Sequence, residues 1–267
     1  MTVMAARAIW KAAISFKGAS VPVKLYSAVK DRKIHFRMLH ESDHVPVEQK
    51  MVHPETGEPV DKEDIRRGYE IAPGEMVILD GEDLERLEPQ ASRRIEMLRF
   101  FAAGGLGHQW YERPYFLEPD KGGVSAYAAL CSALNRQNLE GFARWTMRKK
   151  QYIGTLQAHK DYLMLFTLRH REEVINASEL PRPQGRTLES QELKMAEQLM
   201  EALEGEFDPE SYRDEFSYRL RELVDAKARG KAIPLARLPA RKKQKAETFS
   251  DLLEKSLEQV KRERKSA

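Results

Sequence analysis

The chain has 267 residues, of which 41% are hydrophobic and 33% charged, with a formal net charge of +3. That is enough apolar content for one large or two modest cores, and no apolar run approaches the roughly 20 residues that cross a bilayer. Cys131 is the single cysteine, which excludes an internal disulfide and a cysteine-based metal site. The opening MTVMAARAIW lacks the apolar core of a secretory signal, so a cytoplasmic location is expected.

The small net charge conceals segregation along the chain. Residues 1–69, 136–171 and 231–267 are net basic, while 70–135 and 172–230 are net acidic. Within 136–171 there are eight basic side chains against two acidic ones; within 172–230 there are eight against fifteen. Such alternation suggests one positive face and one face that repels polyanions. Charge alone does not separate this from ordinary solvated surface.

In chain order, Ile9, Trp10, Ile14 and Phe16 are strand-prone, and Gly18 breaks the run. Val21 to Tyr26 is a second strand, with Pro22 near its start where proline is tolerated. Pattern alone makes this an antiparallel hairpin. Ile34, Phe36 and Met38 alternate with His35, Arg37 and Leu39, which predicts a half-buried strand. His53–Val60, HPETGEPV, is a tight turn. Glu75–Leu79 is a short strand, and Asp80–Leu87 has the acidic first turn of a helix. Ile95–Ala102 is a further apolar run, followed by the loop AAGGLGHQ and the extended RPYFLEP. Val124–Leu134 is a short helix with Cys131 on its buried face.

Ala143, Trp145 and Met147 alternate with Arg144, Thr146 and Arg148, so a strand there buries the first set and presents both arginines. Tyr162–Leu168 is its expected partner, with His159–Asp161 in the turn. Many short strands with irregular connections suggest a barrel or sandwich. Beyond Pro181–Pro183 the pattern becomes helical. Leu193, Ala196, Met200 and Leu203 share one face of a helix from Thr187 that Gly205 ends. Asp208-Pro209 then caps a second helix, with Tyr212, Phe216, Leu220, Leu223 and Val224 as its stripe and Gly230 as its stop. Ala240–Glu247 is a basic linker, and Phe249, Leu252, Leu253, Leu257 and Val260 line a final amphipathic helix.

No phosphate-binding GxxxxGK[ST] loop, dinucleotide fingerprint or GxSxG elbow occurs. His40-Glu41-Ser42-Asp43-His44 is a formal HExxH, and a zinc hydrolase is therefore one alternative. The motif needs a helix, whereas these residues end an alternating strand and precede Pro46, so a polar loop is the better reading. Basic residues gather at Lys30, Arg32, Lys33 and Arg37, at Arg66 and Arg67, and at Arg144 to Lys150. With no recognition helix, zinc finger or RNA-binding aromatic motif, they point to binding of a nucleic-acid backbone without sequence readout. A general architectural DNA-binding protein is the second alternative.

The run Arg7–Tyr26, RAIWKAAISFKGASVPVKLY, resembles the opening of the bacterial Ku family, proteins that thread onto broken DNA ends. The resemblance continues through HFRMLH (35–40), GYE (68–70), GEMVILDGEDLE (74–85), RPYFLEP (113–119), the strand at Trp145–Arg148, DPESYRDEF (208–216), KARGK (227–231) and DLLEKSLEQ (251–259). It implies an α+β fold: a β-barrel core with an arching bridge insertion, then a helical C-terminal arm and a short basic tail. The corresponding boundaries are 1–183 for the core, with the bridge at about 42–67, 184–235 for a dimerisation arm and 236–267 for linker and terminal helix.

The resemblance also implies a homodimeric ring around double-stranded DNA ends, acting in non-homologous end joining without catalysis or cofactor. It implies a bacterial, nucleoid-associated location and recruitment of the ATP-dependent DNA ligase D through the C-terminal region. Arg32, Lys33, Arg37, Lys50, Arg66, Arg67, Arg144, Arg148, Lys149 and Lys150 are expected to supply the inner positive surface. Leu252, Leu253 and Leu257 are expected to anchor the ligase, unless the terminal helix packs back on its own chain. Some family members keep bridge cysteines; here His53 and Pro54 stand near that knuckle, so no structural metal is expected.

Overall fold

The computed structural model describes residues 7–182, 185, 189–230 and 249–266, and the chain divides into two compact units, Met1–Glu179 and Leu180–Ala267. The first unit is organised by β1 (Trp10–Phe16) and β2 (Ala19–Ser27), the hairpin expected from Gly18, which turns with φ +92°. Between β2 and the next barrel strand the chain makes a long excursion, residues 28–93. It carries β3 (Arg67–Ala72), β4 (Glu75–Leu79) and α1 (Gly81–Leu87). The barrel resumes with β5 (Arg94–Ala102) and β6 (Tyr111–Pro119). Then come α2 (Val124–Gln137), β7 (Leu139–Met147), β8 (Lys150–His159) and β9 (Tyr162–Leu168).

Seven of these strands close a barrel in the order β1-β2-β6-β9-β8-β7-β5, sealed by parallel pairing of β1 with β5, where Ile14 lies opposite Ile95. Closure removes exposed sheet edges, and the period-2 alternation decides which side chains fill the interior. Ile14, Val23, Leu25, Ile95, Leu117, Trp145, Leu156, Leu163 and Leu165 do so. Tyr127 ties α2 to this core: its hydroxyl donates to the Leu117 carbonyl and accepts from the Leu163 amide, both at 2.7 Å. Asn138, left-handed at φ 51°, ends α2 where an asparagine tolerates that geometry. Gly154 is required by the packing, since a Cβ there would lie 2.1 Å from the Phe166 carbonyl oxygen and 2.6 Å from the Trp145 ring.

Two expectations change here. The direct neighbours of β7 are β5 and β8; Tyr162–Leu168 pairs with β8 and β6 instead. The alternating run at Ile34–Met38 forms no strand, because among the described residues no strand lies beside it; Phe36 and Met38 are 70% and 58% exposed. The excursion instead holds two equivalent knuckles. In one, the His40 amide donates to the Val45 carbonyl and the His44 amide to the His40 carbonyl; in the other, His53 pairs with Glu58 and Gly57 with His53 in the same way. Each is closed by a single bridge, Leu39 with Pro46 and Val52 with Pro59.

The second unit holds α3 (Ser190–Leu203), α4 (Glu215–Ala228) and α5 (Phe249–Ser266). Asp208-Pro209 starts only a short 3-10 turn; the cap of α4 is Asp214, whose carboxylate accepts from the Ser217 amide. α5 packs on α3, joined by Ser250, which donates to Glu192 at 2.8 Å, so the terminal helix and the first arm helix share one unit. The face of α3 turned inward carries Glu192, Met195, Leu199 and Ala202 with Ala196 of the expected stripe, whereas Leu193, Met200 and Leu203 of that stripe are exposed.

Candidate nucleic-acid interface

The formal HExxH does not form a site. Residues 41–43 turn, His44 has φ 58°, and the His40 ring meets Asp43 at 2.9 Å. The Val45 amide and the His40 ring together hold the Asp43 carboxyl below its ordinary range. Among the described residues no three His, Cys, Asp or Glu side chains gather to hold a metal ion.

The basic residues are sorted by the end of the excursion. Asp80 caps α1 through a reciprocal box with Asp83, and the helix stops at Glu88, before Pro89. This short helix lies between two clefts. A cleft of about 540 Å³ is lined by Arg66, Arg67, Leu79, Glu85 and Glu88. A second, of about 420 Å³, is lined by Glu88, Arg93, Arg148 and Lys149 over Trp10 and Met147. Glu88 is common to both, so Arg66, Arg67, Arg148 and Lys149, distant in sequence, border one region.

Arg148 is not on the β7 face as expected. β7 ends at Met147, and Arg148 and Lys149 form the two-residue turn to β8, both left-handed at φ 52° and 63°. Such a turn favours Asn-Gly; two long cationic side chains there are strained. The Lys149 ammonium lies 2.9 Å from both carboxylate oxygens of Glu88, and that hydrogen bond raises the affinity of Lys149 for its proton. Lys150 lies 5.4 Å over the Tyr152 ring, which stacks on Trp145 at 5.7 Å.

A third cleft, about 280 Å³, opens on the outer barrel face between Ser92, Arg94, Glu96, Arg144 and Gln151. Arg144 is exposed there as expected and donates to Glu96 at 2.8 Å. Arg93 and Arg94 were not among the expected residues, although an Arg-Arg pair just before an apolar strand is the same signal that marks Arg66 and Arg67. Arg32, Lys33, Arg37 and Lys50 lie on the exposed chain of the excursion and line none of these three clefts. Leu253 and Leu257 are buried against α3, the alternative that the sequence left open, while Leu252 is partly exposed. The basic stretch Ala240–Glu247 lies outside the described residues. No described helix is long and apolar enough to cross a membrane.

A closed barrel, a long excursion between β2 and β5, and clefts where arginine and lysine meet carboxylates define the class: an insertion-bearing β-barrel protein with charged surface clefts. The family model for the Ku70/Ku80 beta-barrel domain matches residues 15–195. Similar proteins include "Non-homologous end joining protein Ku 2" of Geotalea uraniireducens, 37% identical over 96% of this chain and 100% of the relative. "Non-homologous end joining protein Ku" of Archaeoglobus fulgidus is 34% identical with the same coverage, and that of Mycobacterium tuberculosis 33% identical over 93% of each chain. The chain belongs to the Ku family.

Proposed function

We propose that this protein binds double-stranded DNA ends without reading sequence, as a homodimer, and acts by binding rather than by catalysis in non-homologous end joining. The observation that carries the reading is the convergence of Arg66, Arg67, Arg93, Arg148 and Lys149 around the end of α1 in a Ku-family barrel. Arginine and lysine neutralise phosphates and release counterions whatever the base sequence. The relatives named for end joining support the same assignment.

Two features support a homodimer. The β3–β4 hairpin is a two-stranded sheet with Tyr69, Ile71, Met76 and Ile78 all exposed, and an isolated hairpin is marginal without a surface to pack on. Met200, Phe207 and Phe216 are likewise 72%, 80% and 67% exposed. Apolar surface of this extent marks association sites. Recruitment of an ATP-dependent DNA ligase D by the C-terminal helix belongs to the same reading; with Leu253 and Leu257 engaged by α3, contact would begin at Leu252 and the polar face of α5.

The test is equilibrium binding to short duplexes of two unrelated sequences, each with free ends or with both ends blocked by bulky hairpins. Equal affinity for the two free-ended sequences and loss of binding to the blocked ones is the expected result. Equal binding to blocked and free duplexes would favour a general architectural binder.

A further inference from the structure

Two of the cations that the sequence places on the DNA surface are already bound to carboxylates of this chain. Glu88 clasps Lys149 with both oxygens at 2.9 Å, and Glu96 accepts from Arg144 at 2.8 Å. These are not chance neighbours on mobile loops. Glu96 is the cross-strand partner of Arg144 in the β5–β7 ladder, and Glu88 is fixed by the capped α1 and by Pro89. Lys149 is set toward it by a strained turn.

A carboxylate and a phosphate oxygen present the same acceptor to an ammonium or a guanidinium. The side chain of Lys149 remains 70% exposed and that of Arg144 47% exposed, so an incoming phosphate can reach either cation without moving the backbone. Once the phosphate arrives, Glu88 and Glu96 are left beside a polyanion and oppose it.

We infer that Glu88 and Glu96 act as internal phosphate surrogates, which compete with the DNA backbone for Lys149 and Arg144 and hold the protein's affinity for duplex DNA below what its cations alone would give. The inference rests on the proposed DNA-binding role and adds to it a regulation of that surface. Exchange of one acceptor for another also lowers the salt dependence, because a cation that leaves a carboxylate for a phosphate changes the ion count less than a bare cation does.

The test is titration of the full-length protein with a short linear duplex over a range of KCl concentrations. The wild type is compared with Glu88→Gln, Glu96→Gln and the control Glu82→Gln. Glu82→Gln makes the same change in net charge, and among the described residues Glu82 pairs with Arg86 on α1. Exposed ion pairs of this kind set a scale of about two- to fivefold in affinity. Glu88→Gln and Glu96→Gln should each bind tighter by that factor and show a steeper salt slope, with Glu82→Gln matching the wild type. Unchanged or weaker binding by both variants, or an equal gain from Glu82→Gln, overturns the inference while leaving the DNA-binding role intact. Failure of the wild type to bind any duplex overturns that role, and the inference with it.

Discussion

Arg144 and Glu96 stand directly opposite each other across the β5–β7 ladder, and the guanidinium donates to the carboxylate at 2.8 Å. Arg67, at the start of β3, lines a cleft with Arg66 and faces solvent. The two arginines should therefore differ as DNA contacts. Arg67→Gln is expected to lower the slope of log K against log salt by about 0.9, the loss of one phosphate contact. Arg144→Gln, which removes a cation already compensated by Glu96, should lower it by clearly less. Salt titrations of the two variants on one duplex compare them directly.

The β7–β8 turn should trade stability for binding. Replacing Arg148-Lys149 by Asn-Gly relieves two left-handed non-glycine residues while keeping the hairpin register. The thermal midpoint should rise by about 2–4 °C, the shift expected for relief of roughly 1 kcal/mol of backbone strain in a chain of this size. DNA binding by the same variant should weaken, because both cations leave the cleft beside Glu88. A rise in midpoint with unchanged binding would remove Arg148 and Lys149 from the interface.

Gly154 tests the barrel interior. Its Cβ position is occupied by the Phe166 carbonyl oxygen and the Trp145 ring, so Gly154→Ala must displace backbone or the largest side chain of the core. Overpacking of this kind costs about 1–3 kcal/mol. Urea denaturation monitored through tryptophan fluorescence should show the loss as a lower midpoint with an unchanged slope.

The α3–α5 contact bears on the proposed ligase recruitment. Leu253→Asp or Leu257→Asp places a charge in the buried seam and should release α5, which is marginal as an isolated helix. Faster amide exchange across 249–266 would report the release. Deleting residues 241–267 should reduce stimulation of an ATP-dependent DNA ligase D more than it reduces DNA binding; an unaffected ligation rate would remove the C-terminal segment from that role.

Much of the barrel is legible in the sequence, because β1, β2 and β7 alternate and their inward residues are apolar, while β5 shows as an apolar run whose alternation a bulge between Met97 and Arg99 breaks. β8 is not, since Gly154 and Gln157 interrupt its alternation; the glycine is there for Trp145, a contact with no local sign. The reverse error occurs at Ile34–Met38, where the alternation is real but no strand among the described residues lies alongside to pair with it. α3 carries apolar residues on two faces, and sequence periodicity cannot say which one α5 covers. For the interface, clustering of basic residues identifies Arg66, Arg67 and the Arg144–Lys150 stretch. What remains hidden is that Glu88 joins two of these groups, because that depends on the end of α1 coming to lie beside Lys149 of the β7–β8 turn.

The most direct measurement uses one circular DNA before and after a single double-strand cut. A protein that loads at ends should bind the linearised molecule strongly and the covalently closed circle weakly at the same salt concentration. Equal binding to both forms would contradict end-dependent loading and leave a general backbone binder in its place.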